Sequence, residues 1–472
     1  MSDDKNKIDR RKFLTQSSRA LVGGAAILAG CTDPEMPSGD MAARLDMSMK
    51  GNDMSAREDM NSPQDMGSDQ GTDQGAEDAA PDGEEMSASN IIAFSKPPFL
   101  QKIGGDAGRA RLRFETRSEQ ALEVELKAMG GMATAFMAST SLSMLDFEWP
   151  VPFFENRVDY HDRPGLHNLQ EVVFEGLMPG MQYEWTVHQG DGVTASGVFK
   201  VDASPDEAFK LGWISDTMFP DAGACAARLA GAKPDLIVHG GDLQYLTNPI
   251  DTWSGFFHEL SPLTALAPFH TCIGNHEYEE MNEFEQQYKR LFEGHGDTGS
   301  TIDYSAFTYG GVRFLLLNSE IELADANSPQ HRWMLAELER VQNSNLRFAV
   351  VAFHRPYFTF SKSMPDFQTR DILHPIFQQY NVPIVFTGHN HCYERFEADG
   401  ITYVMDGGGG ALTYKIDHNK EDVLAQRPDD EELRKFASRT YGVTVATINP
   451  DGTLDIERLE AEGGVSETYS IG

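Results

Sequence analysis

The stretch GHNHCYER, residues 388–395, places two histidines directly after the apolar run 383–387. A short apolar run bounded by glycine is typical of a buried strand, so His389 and His391 stand where a strand ends. Ligands of open α/β sheets bind beyond the carboxyl ends of the strands. The stretch therefore predicts an α/β fold with a binding site at the edge of a sheet.

Four earlier motifs repeat this pattern of an apolar run that ends in metal-capable side chains. Taken singly, each has an ordinary explanation, such as a helix cap or a packed histidine. Five motifs in a fixed order, each after a predicted strand, together favour a metal site. The four motifs supply Asp216 in WISDTM, Asp242 and Tyr245 in GGDLQY, Asn275 in GNHE, and His354 in VAFHRP.

These side chains offer carboxylate, phenolate, amide and imidazole groups but no thiolate, a set that suits Fe, Mn, Zn or Mg. A structural zinc normally takes four ligands, and seven ligands are too many for one ion but natural for two ions that share a carboxylate. Two ions about 3.5–4 Å apart can clamp the attacking and leaving oxygens of an in-line displacement. The motifs therefore predict a two-metal site that cleaves phosphoesters.

The motif series resembles the metallophosphoesterase superfamily and, within it, the purple acid phosphatases. GHNHCYER is similar to their GHxHxYER signature, and Tyr245, three residues after Asp242, is their specific marker. Many relatives have a histidine ligand where this chain has Met218. The resemblance covers most of residues 95–460 and implies a calcineurin-like α/β (α+β) fold, with two packed sheets flanked by helices.

The resemblance also implies a role for each site residue. Asp242 would bridge two metals, and His276, beside Asn275, is the best candidate to assist the transition state or the leaving group. A metal-bound hydroxide would attack phosphorus in a small phosphomonoester, as in acid phosphatases. One metal, Fe(III), would bind Asp216, Tyr245 and His391, and the second, a divalent Fe, Zn or Mn ion, would bind Asn275, His354 and His389.

Two departures from the family leave the substrate open. The first motif is usually D-x-G, but this chain has Met218 two residues after Asp216. Plant members carry a histidine pair beyond the fourth motif, where this chain reads TFSKSM at 359–364. A phosphodiesterase or nucleotide-cleaving enzyme is therefore an alternative. A protein of another class, a non-catalytic surface-tethered adhesion or binding lipoprotein, is a second alternative.

Residues 1–31 have the features of an export signal and are excluded from the fold. Arg10 and Arg11 precede an apolar stretch at 20–30 that is shorter than the roughly 20 residues a membrane span needs. The pair resembles a twin-arginine signal. The sequence Leu-Ala-Gly-Cys ending at Cys31 resembles a bacterial lipobox. We expect an exported lipoprotein, periplasmic or at the cell surface, that is anchored to a membrane through lipid on Cys31.

The composition predicts a disordered acidic linker and argues against nucleic-acid binding. Residues 32–90 contain 15 acidic and 3 basic side chains and no aromatic residue. Low hydrophobicity with an excess of charge is typical of disorder. The whole chain has 73 acidic and 39 basic residues and a formal charge of −34. A basic nucleic-acid-binding face is therefore not expected.

Two folded parts are predicted after the linker. Short alternating runs over residues 91–205 are typical of a β-sandwich, and the segment 177–183 around Tyr183 resembles the tyrosine corner of fibronectin type III domains. Residues 206–472 alternate strands with helices, as in a catalytic α/β domain, and end in a hairpin. Strands are predicted at 109–116, 121–128, 171–175, 182–188 and 197–201, then at 210–215, 235–240, 269–274, 314–318, 348–353, 383–387, 402–405, 441–448 and 453–459, with a helix at 329–341.

Overall fold

The computed structural model describes residues 94–104, 108–145, 165–189, 192–218, 221–245, 249–278, 287–297 and 299–472. They all belong to the second of two compact units, Ala79–Gly472. The predicted export signal with Arg10, Arg11 and Cys31, and the linker at 32–90, lie outside the described residues. Within the described ranges, no helix has both the length and the apolar character that a membrane crossing requires.

The first part of this unit is a β-sandwich. Two antiparallel four-stranded sheets share one core, in which Phe174 of one sheet stacks on Phe199 of the other with ring centroids 6.4 Å apart. The strands are β1 (Phe94–Lys102), β2 (Ala110–Thr116), β3 (Glu123–Ala128), β4 (Ala133–Met137), β5 (Ser139–Leu145), β6 (Gly165–Phe174), β7 (Gln182–Gln189) and β8 (Gly192–Lys200). Their orders in the two sheets are β1-β2-β6-β5 and β4-β3-β7-β8.

The sandwich confirms the β-rich fold that the sequence predicts for residues 91–205, although β1, β4 and β5 were not predicted. The hydroxyl of Tyr183 accepts a hydrogen bond from the backbone nitrogen of Met178 at 2.9 Å. A tyrosine hydroxyl that bonds to the backbone a few residues upstream is the geometry of a tyrosine corner. The assignment to the fibronectin type III class stays a prediction.

The rest of the unit alternates strands and helices, as the sequence predicts for residues 206–472. The strands are β9 (Phe209–Ile214), β10 (Leu236–His239), β11 (Phe269–Thr271), β12 (Ser305–Tyr309), β13 (Val312–Leu316), β14 (Ala349–Ala352), β15 (Ile384–Thr387), β16 (Tyr393–Ala398), β17 (Ile401–Asp406), β18 (Arg434–Ser438), β19 (Gly442–Ile448), β20 (Leu454–Glu460) and β21 (Val465–Ile471). The helices are α1 (Ala222–Gly231), α2 (Pro249–Thr264), α3 (Tyr288–Phe292), α4 (Pro329–Gln342), α5 (Phe367–Gln379), α6 (Lys420–Gln426) and α7 (Asp430–Leu433), with a short 3-10 helix at Asn275–Tyr278.

Two sheets pack face to face in this part. One has the order β11-β10-β9-β19-β20-β21 and the other β12-β13-β14-β15-β17-β16-β18. Trp213 of the first sheet stacks on Phe386 of the second with ring centroids 5.2 Å apart, inside a core that both sheets line. The central strands are buried on both faces, and they therefore read as continuous apolar runs.

Helices cover the outer faces of both sheets, which gives four layers. Residues of α1 and α2 pack in one outer core, and residues of α4 and α5 pack in the other. Helix α4 begins as predicted: Pro329 is its first residue, and the Ser328 hydroxyl accepts from the backbone nitrogen of His331. The predicted C-terminal hairpin is β19–β20, and β19 pairs with β9.

The strand directions determine where the loops meet. Strands β9, β10 and β11 are mutually parallel, and so are β13, β14, β15 and β17. Parallel strands end at the same edge of their sheet, so the loops that follow them lie together. The predicted metal motifs follow β9, β10, β11, β14 and β15.

Candidate metal centre

The predicted site residues follow the strand ends closely. Asp216 and Asp242 lie after β9 and β10, and His389 lies after β15. All three have a left-handed backbone, with φ of 60°, 52° and 72°. Such conformations are uncommon for residues other than glycine and cluster at functional sites. The loops are therefore shaped to aim these side chains.

The first cluster centres on the phenol of Tyr245. Its hydroxyl lies 2.7 Å from Oδ1 of Asp216, 3.2 Å from Oδ2 of Asp242 and 2.9 Å from Nε2 of His391. The same nitrogen of His391 is 3.6 Å from Oδ1 of Asp216. Three loops that are far apart in the chain thus bring oxygen and nitrogen atoms close enough together to bind one metal ion.

The second cluster lies on the other side of Asp242. Oδ2 of this carboxylate is 3.0 Å from Nε2 of His354, which is 3.2 Å from Nδ1 of His389. One ligand atom from each of the three residues falls within 4.8 Å of the others. Because Oδ2 of Asp242 also approaches Tyr245, this carboxylate belongs to both clusters.

Backbone carbonyls orient two of the histidine rings. Nδ1 of His354 donates to the carbonyl of Gly240, and Nδ1 of His391 donates to the carbonyl of Leu412, both at 2.9 Å. Each ring therefore directs its Nε2 atom into the centre. Outer hydrogen bonds of this kind orient metal-bound histidines in proteins.

Burial and neighbouring charges shift the pKa values of several side chains in the centre. Burial, assisted by the carboxylate of Asp242, raises the pKa of Asp216 to about 6 although His354 opposes the shift. Burial lowers the pKa of His391 to about 4. Burial also acts to lower the pKa of His354, but the charge and hydrogen bond of Asp242, together with the charges of Asp216 and Glu320, outweigh it and raise that pKa to about 9. Two buried carboxylates side by side favour a bound cation.

The chemistry of the donor atoms fits two cations. Oδ1 of Asn275 is buried and has no hydrogen-bond partner among the described residues. A buried amide oxygen without a partner is costly unless a ligand satisfies it. Carboxylate, amide, phenol and imidazole donors suit hard and borderline metals. The seven residues that the sequence predicted as ligands thus have the chemistry that two ions require.

His276 lies at the edge of the centre, on the 3-10 helix Asn275–Tyr278. Its backbone nitrogen donates to Oδ1 of Asp242 at 2.9 Å, and its Nε2 is 3.8 Å from Oδ2 of the same residue. Its ring is 4.2 Å from the ring of Tyr245, centroid to centroid. The imidazole therefore lies beside Asp242 and Tyr245, and its role in the reaction stays a prediction.

Glu277, the last residue of the GNHE motif, supports the metal centre, although the sequence did not predict a role for it. The carboxylate of Glu277 accepts hydrogen bonds from the backbone nitrogens of Asp242, Leu243 and Gly274, at 2.9, 2.8 and 2.7 Å. It thereby ties the loop after β10 to the loop after β11. The signal was its position next to two proposed site residues, Asn275 and His276.

Glycines form a close-fitting cradle under the two aspartates. A Cβ at Gly388 would lie 2.4 Å from Oδ2 of Asp216, and one at Gly274 would lie 2.1 Å from Oδ1 of Asp242. Within the glycine run 407–410, a Cβ at Gly409 would lie 2.2 Å from the carbonyl oxygen of Ser215. Close backbone approach to the metal motifs therefore requires these glycines.

Comparison with known proteins identifies the class of domain. Residues 209–393 match the family model "Calcineurin-like phosphoesterase". The chain is 28% identical over 200 residues to "Probable inactive purple acid phosphatase 9" of Arabidopsis thaliana, which is 36% of this chain and 31% of that protein. It is 29% identical over 225 residues to purple acid phosphatase 22 of the same plant, which is 44% of this chain and 50% of that protein.

The fold has a solved counterpart. The purple acid phosphatase PPD1 isolated from yellow lupin (Lupinus luteus) seeds superimposes with a TM-score of 0.64, over 79% of this chain and 74% of that chain, at 18% sequence identity. This likeness shows the fold. The chain spans about half or less of the length of the two curated relatives named above.

Together these findings confirm the resemblance that the motifs indicated. The chain contains a calcineurin-like metallophosphoesterase domain. Purple acid phosphatases are among its homologues, and a dinuclear metal centre is the kind of site this family implies.

Proposed function

We propose that this protein hydrolyses phosphoric monoesters at a centre of two metal ions, in the manner of an acid phosphatase. One observation carries the proposal: two clusters of ligand atoms, drawn from four loops, share the carboxylate of Asp242. The purple acid phosphatases named among the relatives support the substrate class.

The residues divide naturally between two ions, with Asp242 shared. When bound, the two ions supply a Lewis acid for the phosphoryl oxygens and a water activated near neutral pH. The first ion would be held by Asp216, Tyr245 and His391, and the second by Asn275, His354 and His389.

The side chains of this chain do the remaining work. Asp242 keeps the two halves of the centre together, because its Oδ2 lies 3.2 Å from the phenol of Tyr245 and 3.0 Å from the ring of His354. His276 holds its ring at the edge of the centre, where a ring nitrogen can deliver a proton to the leaving oxygen. A positioned proton-transfer group contributes about 10²–10⁴ in rate.

The first metal is proposed to be Fe(III), because the first cluster contains a phenol. Tyr245 is the only phenol among the seven proposed ligands, and its hydroxyl is the central atom of its cluster. The second metal is proposed to be a divalent Fe, Zn or Mn ion, since its ligands are one amide, one shared carboxylate and two imidazoles. Elemental analysis of the purified protein tests both assignments.

The deciding experiment compares a monoester with a diester chromogenic substrate, with Fe, Zn, Mn and Mg supplied in turn. Preference for the monoester supports the proposal, and preference for the diester favours a phosphodiesterase or a nucleotide-cleaving enzyme. No turnover with any metal favours a non-catalytic binding protein. One relative carries the word "inactive" in its name, but all seven donor groups are present in this chain.

We also propose that the protein is exported and anchored to a membrane by lipid on Cys31. The support is the order of two sequence signals, the Arg10-Arg11 pair and then the lipobox-like ending at Cys31. Lipid labelling of the expressed full chain tests it. Label on the wild type and none on Cys31→Ser is the expected result, and a soluble, unlabelled wild type contradicts the anchor.

A further inference from the structure

Two cationic side chains of one segment lie near the metal centre. Arg355 directly follows His354, and Lys362 comes seven residues later in the same connection between β14 and α5. Arg355 contacts His389 of the second cluster, and Lys362 lies over the ring of Tyr414, which stacks on His391 of the first. We call this pair of side chains the cationic rim.

The guanidinium of Arg355 is held in a fixed orientation. Its Nε and one terminal nitrogen donate to the carboxylate of Glu320 at 2.8 Å, and its other terminal nitrogen lies 3.1 Å from Nε2 of His389. A guanidinium has five N–H donors, so these contacts account for three of them. The side chain is 38% exposed, so the guanidinium remains accessible from solvent.

The ring of Tyr414 lies in contact with both Lys362 and His391 of the first cluster. Its ammonium lies 4.5 Å from the ring centroid of Tyr414. That ring in turn stacks on His391, with centroids 3.9 Å apart and planes at 19°. An ammonium at this distance from a tyrosine ring is attracted to the ring quadrupole. Tyr414 therefore stabilises the ammonium of Lys362 at a position one aromatic ring away from His391.

Hydrogen bonds from the GHNHCYER motif hold the segment that carries the two cations. Asn390, which stands between His389 and His391, donates to the hydroxyl of Thr359 at 3.0 Å and accepts from the backbone nitrogen of Ser363 at 2.8 Å. The buried carboxylate of Glu394 accepts from the same hydroxyl and from the backbone nitrogen of Phe360. The motif that carries the two histidines thus also holds the segment that carries the cations.

Hydrogen-bond donors that are held in place at the edge of a site can bind an anionic group of the substrate. Arginine and lysine are the side chains that bind phosphate and carboxylate groups, and preorganised donors lose little entropy on binding. The whole chain is strongly acidic, with a formal charge of −34. Two cations near one metal centre therefore contrast with the net charge of the protein.

We propose that the cationic rim binds a second anionic group on the substrate, so that the preferred substrates are phosphoesters whose leaving group carries a phosphate or a carboxylate. This inference rests on the proposed function and specifies the substrate class of the same site. Arg355 and Lys362 would contact the part of the substrate that does not react.

A purely structural role for Arg355 is the main competing explanation. Its contacts with Glu320 and His389 would also hold the ring of a candidate ligand in place. In that case its loss would weaken metal binding and would slow all substrates alike. The rim predicts instead a selective loss for substrates with a second anion.

The test uses a matched pair of esters and one further dianionic substrate. Glycerol 3-phosphate and 3-phosphoglycerate differ in a carboxylate. Pyrophosphate, an anhydride rather than an ester, presents a second phosphate next to the phosphorus that reacts. The variants are Arg355→Gln, Lys362→Gln and the double variant. The control is Arg340→Gln, which removes a 46% exposed guanidinium outside the site.

The expected result is a selective rise in KM. Each single variant should raise KM for 3-phosphoglycerate or pyrophosphate about three- to tenfold more than KM for glycerol 3-phosphate, since tenfold corresponds to one charge-assisted contact of ordinary strength. The double variant should show the larger loss, and the control should leave the ratio unchanged. Loss for one anionic substrate only would identify its anion as the recognised group.

An equal rise in KM for all three substrates, or a fall in metal content that accounts for the change, would refute the proposed role of the cationic rim. If the wild type turns over no ester with any metal, the proposed function fails separately. Calorimetric binding of 3-phosphoglycerate and glycerol 3-phosphate to the metal-loaded protein then decides the rim alone, because equal affinities in wild type and variants refute it. If Arg355→Gln melts early, Lys362→Gln carries the test.

Discussion

The carboxylate of Glu277 holds the turn that presents Asp242. It accepts from the backbone nitrogen of Asp242 itself at 2.9 Å and from that of Leu243 at 2.8 Å. Its third partner is the backbone nitrogen of Gly274, in the loop after β11. Because Asp242 has a φ of 52°, its conformation needs such support. The shared carboxylate of the metal centre is therefore positioned by a neighbour that lies outside both clusters.

Replacement of Glu277 by glutamine is expected to weaken metal binding. Glutamine keeps one acceptor oxygen and places an NH₂ group against a backbone nitrogen that needs an acceptor. An unsatisfied buried group costs about 1–3 kcal/mol, and loss of an outer-shell partner typically costs about 10–100-fold in metal affinity. Metal titration followed by calorimetry measures the change, and thermal unfolding measures the stability.

The control for this prediction is Glu421→Gln, which alters an exposed carboxylate on α6. It should leave both quantities unchanged. Wild-type metal affinity in Glu277→Gln would show that the three backbone hydrogen bonds do not position Asp242.

Replacement of Gly388 by alanine is expected to disrupt the first cluster. The new Cβ would lie 2.1 Å from the Ser215 hydroxyl and 2.4 Å from Oδ2 of Asp216, so these side chains must move. Overpacking of this kind costs about 1–3 kcal/mol. Gly231→Ala is the matched control, since a Cβ there meets nothing within 4 Å. Equal stability and metal content in the two variants would contradict the cradle.

The fold was predictable where burial imposes a simple pattern. Strands such as β10 and β15 are buried at every position, and their apolar runs were recognised directly. Strand β5 was missed because it is polar and mostly exposed. Strand β16 was missed because its buried Glu394 and Arg395 are charged, and their partners Arg434 and Glu467 are distant in sequence.

The candidate site was predictable to the extent that each ligand type follows a strand. The seven proposed ligands were identified in this way, and the structure brings six of them into two clusters, while Asn275 directly precedes His276 on the 3-10 helix beside them. The supporting residues were not predictable. Among the described residues, the carboxylate of Glu277 accepts hydrogen bonds from backbone nitrogens, and Gly409 acts through close contact with Ser215. Neither kind of contact leaves a pattern in the sequence.

The buried histidine His239 should make the protein less stable in acid. Burial lowers its pKa from the ordinary 6.5 to about 3, so the unfolded chain binds its proton first as the pH falls. This contribution to the free energy of unfolding is full above pH 6.5 and is lost as the pH falls from 6.5 towards 3. At pH 5.5 the loss is on the order of 1 kcal/mol.

A variant without the titrating ring isolates this effect. His239→Gln should show a shallower dependence of unfolding free energy on pH between 4 and 6.5 than the wild type, measured by denaturant titration. The control is His418→Gln, which changes an exposed histidine and should keep the wild-type slope. Identical slopes for the wild type and His239→Gln would refute the assignment.

Replacement of His276 by alanine should slow turnover by about 10²–10⁴-fold, the range for a positioned proton-transfer group. Metal content should be unchanged, because the contact of this residue with Oδ1 of Asp242 is made by its backbone nitrogen. Monoester turnover and elemental analysis on the same sample measure both quantities. Full activity would remove His276 from the mechanism, and loss of metal would make it a structural residue instead.

Tyr245 provides the most direct spectroscopic test of the centre. Without metal, burial and the charges of Asp216 and Asp242 raise the pKa of its phenol well above 10, so the phenolate forms only if a cation replaces the proton. Bound Fe(III) should therefore give a visible charge-transfer band that is absent in Tyr245→Phe. Tyr414→Phe is the matched control, since that phenol stacks on His391 but is not a proposed ligand, and it should keep the band. An iron-loaded, colourless wild type would show that Tyr245 does not bind the ferric ion.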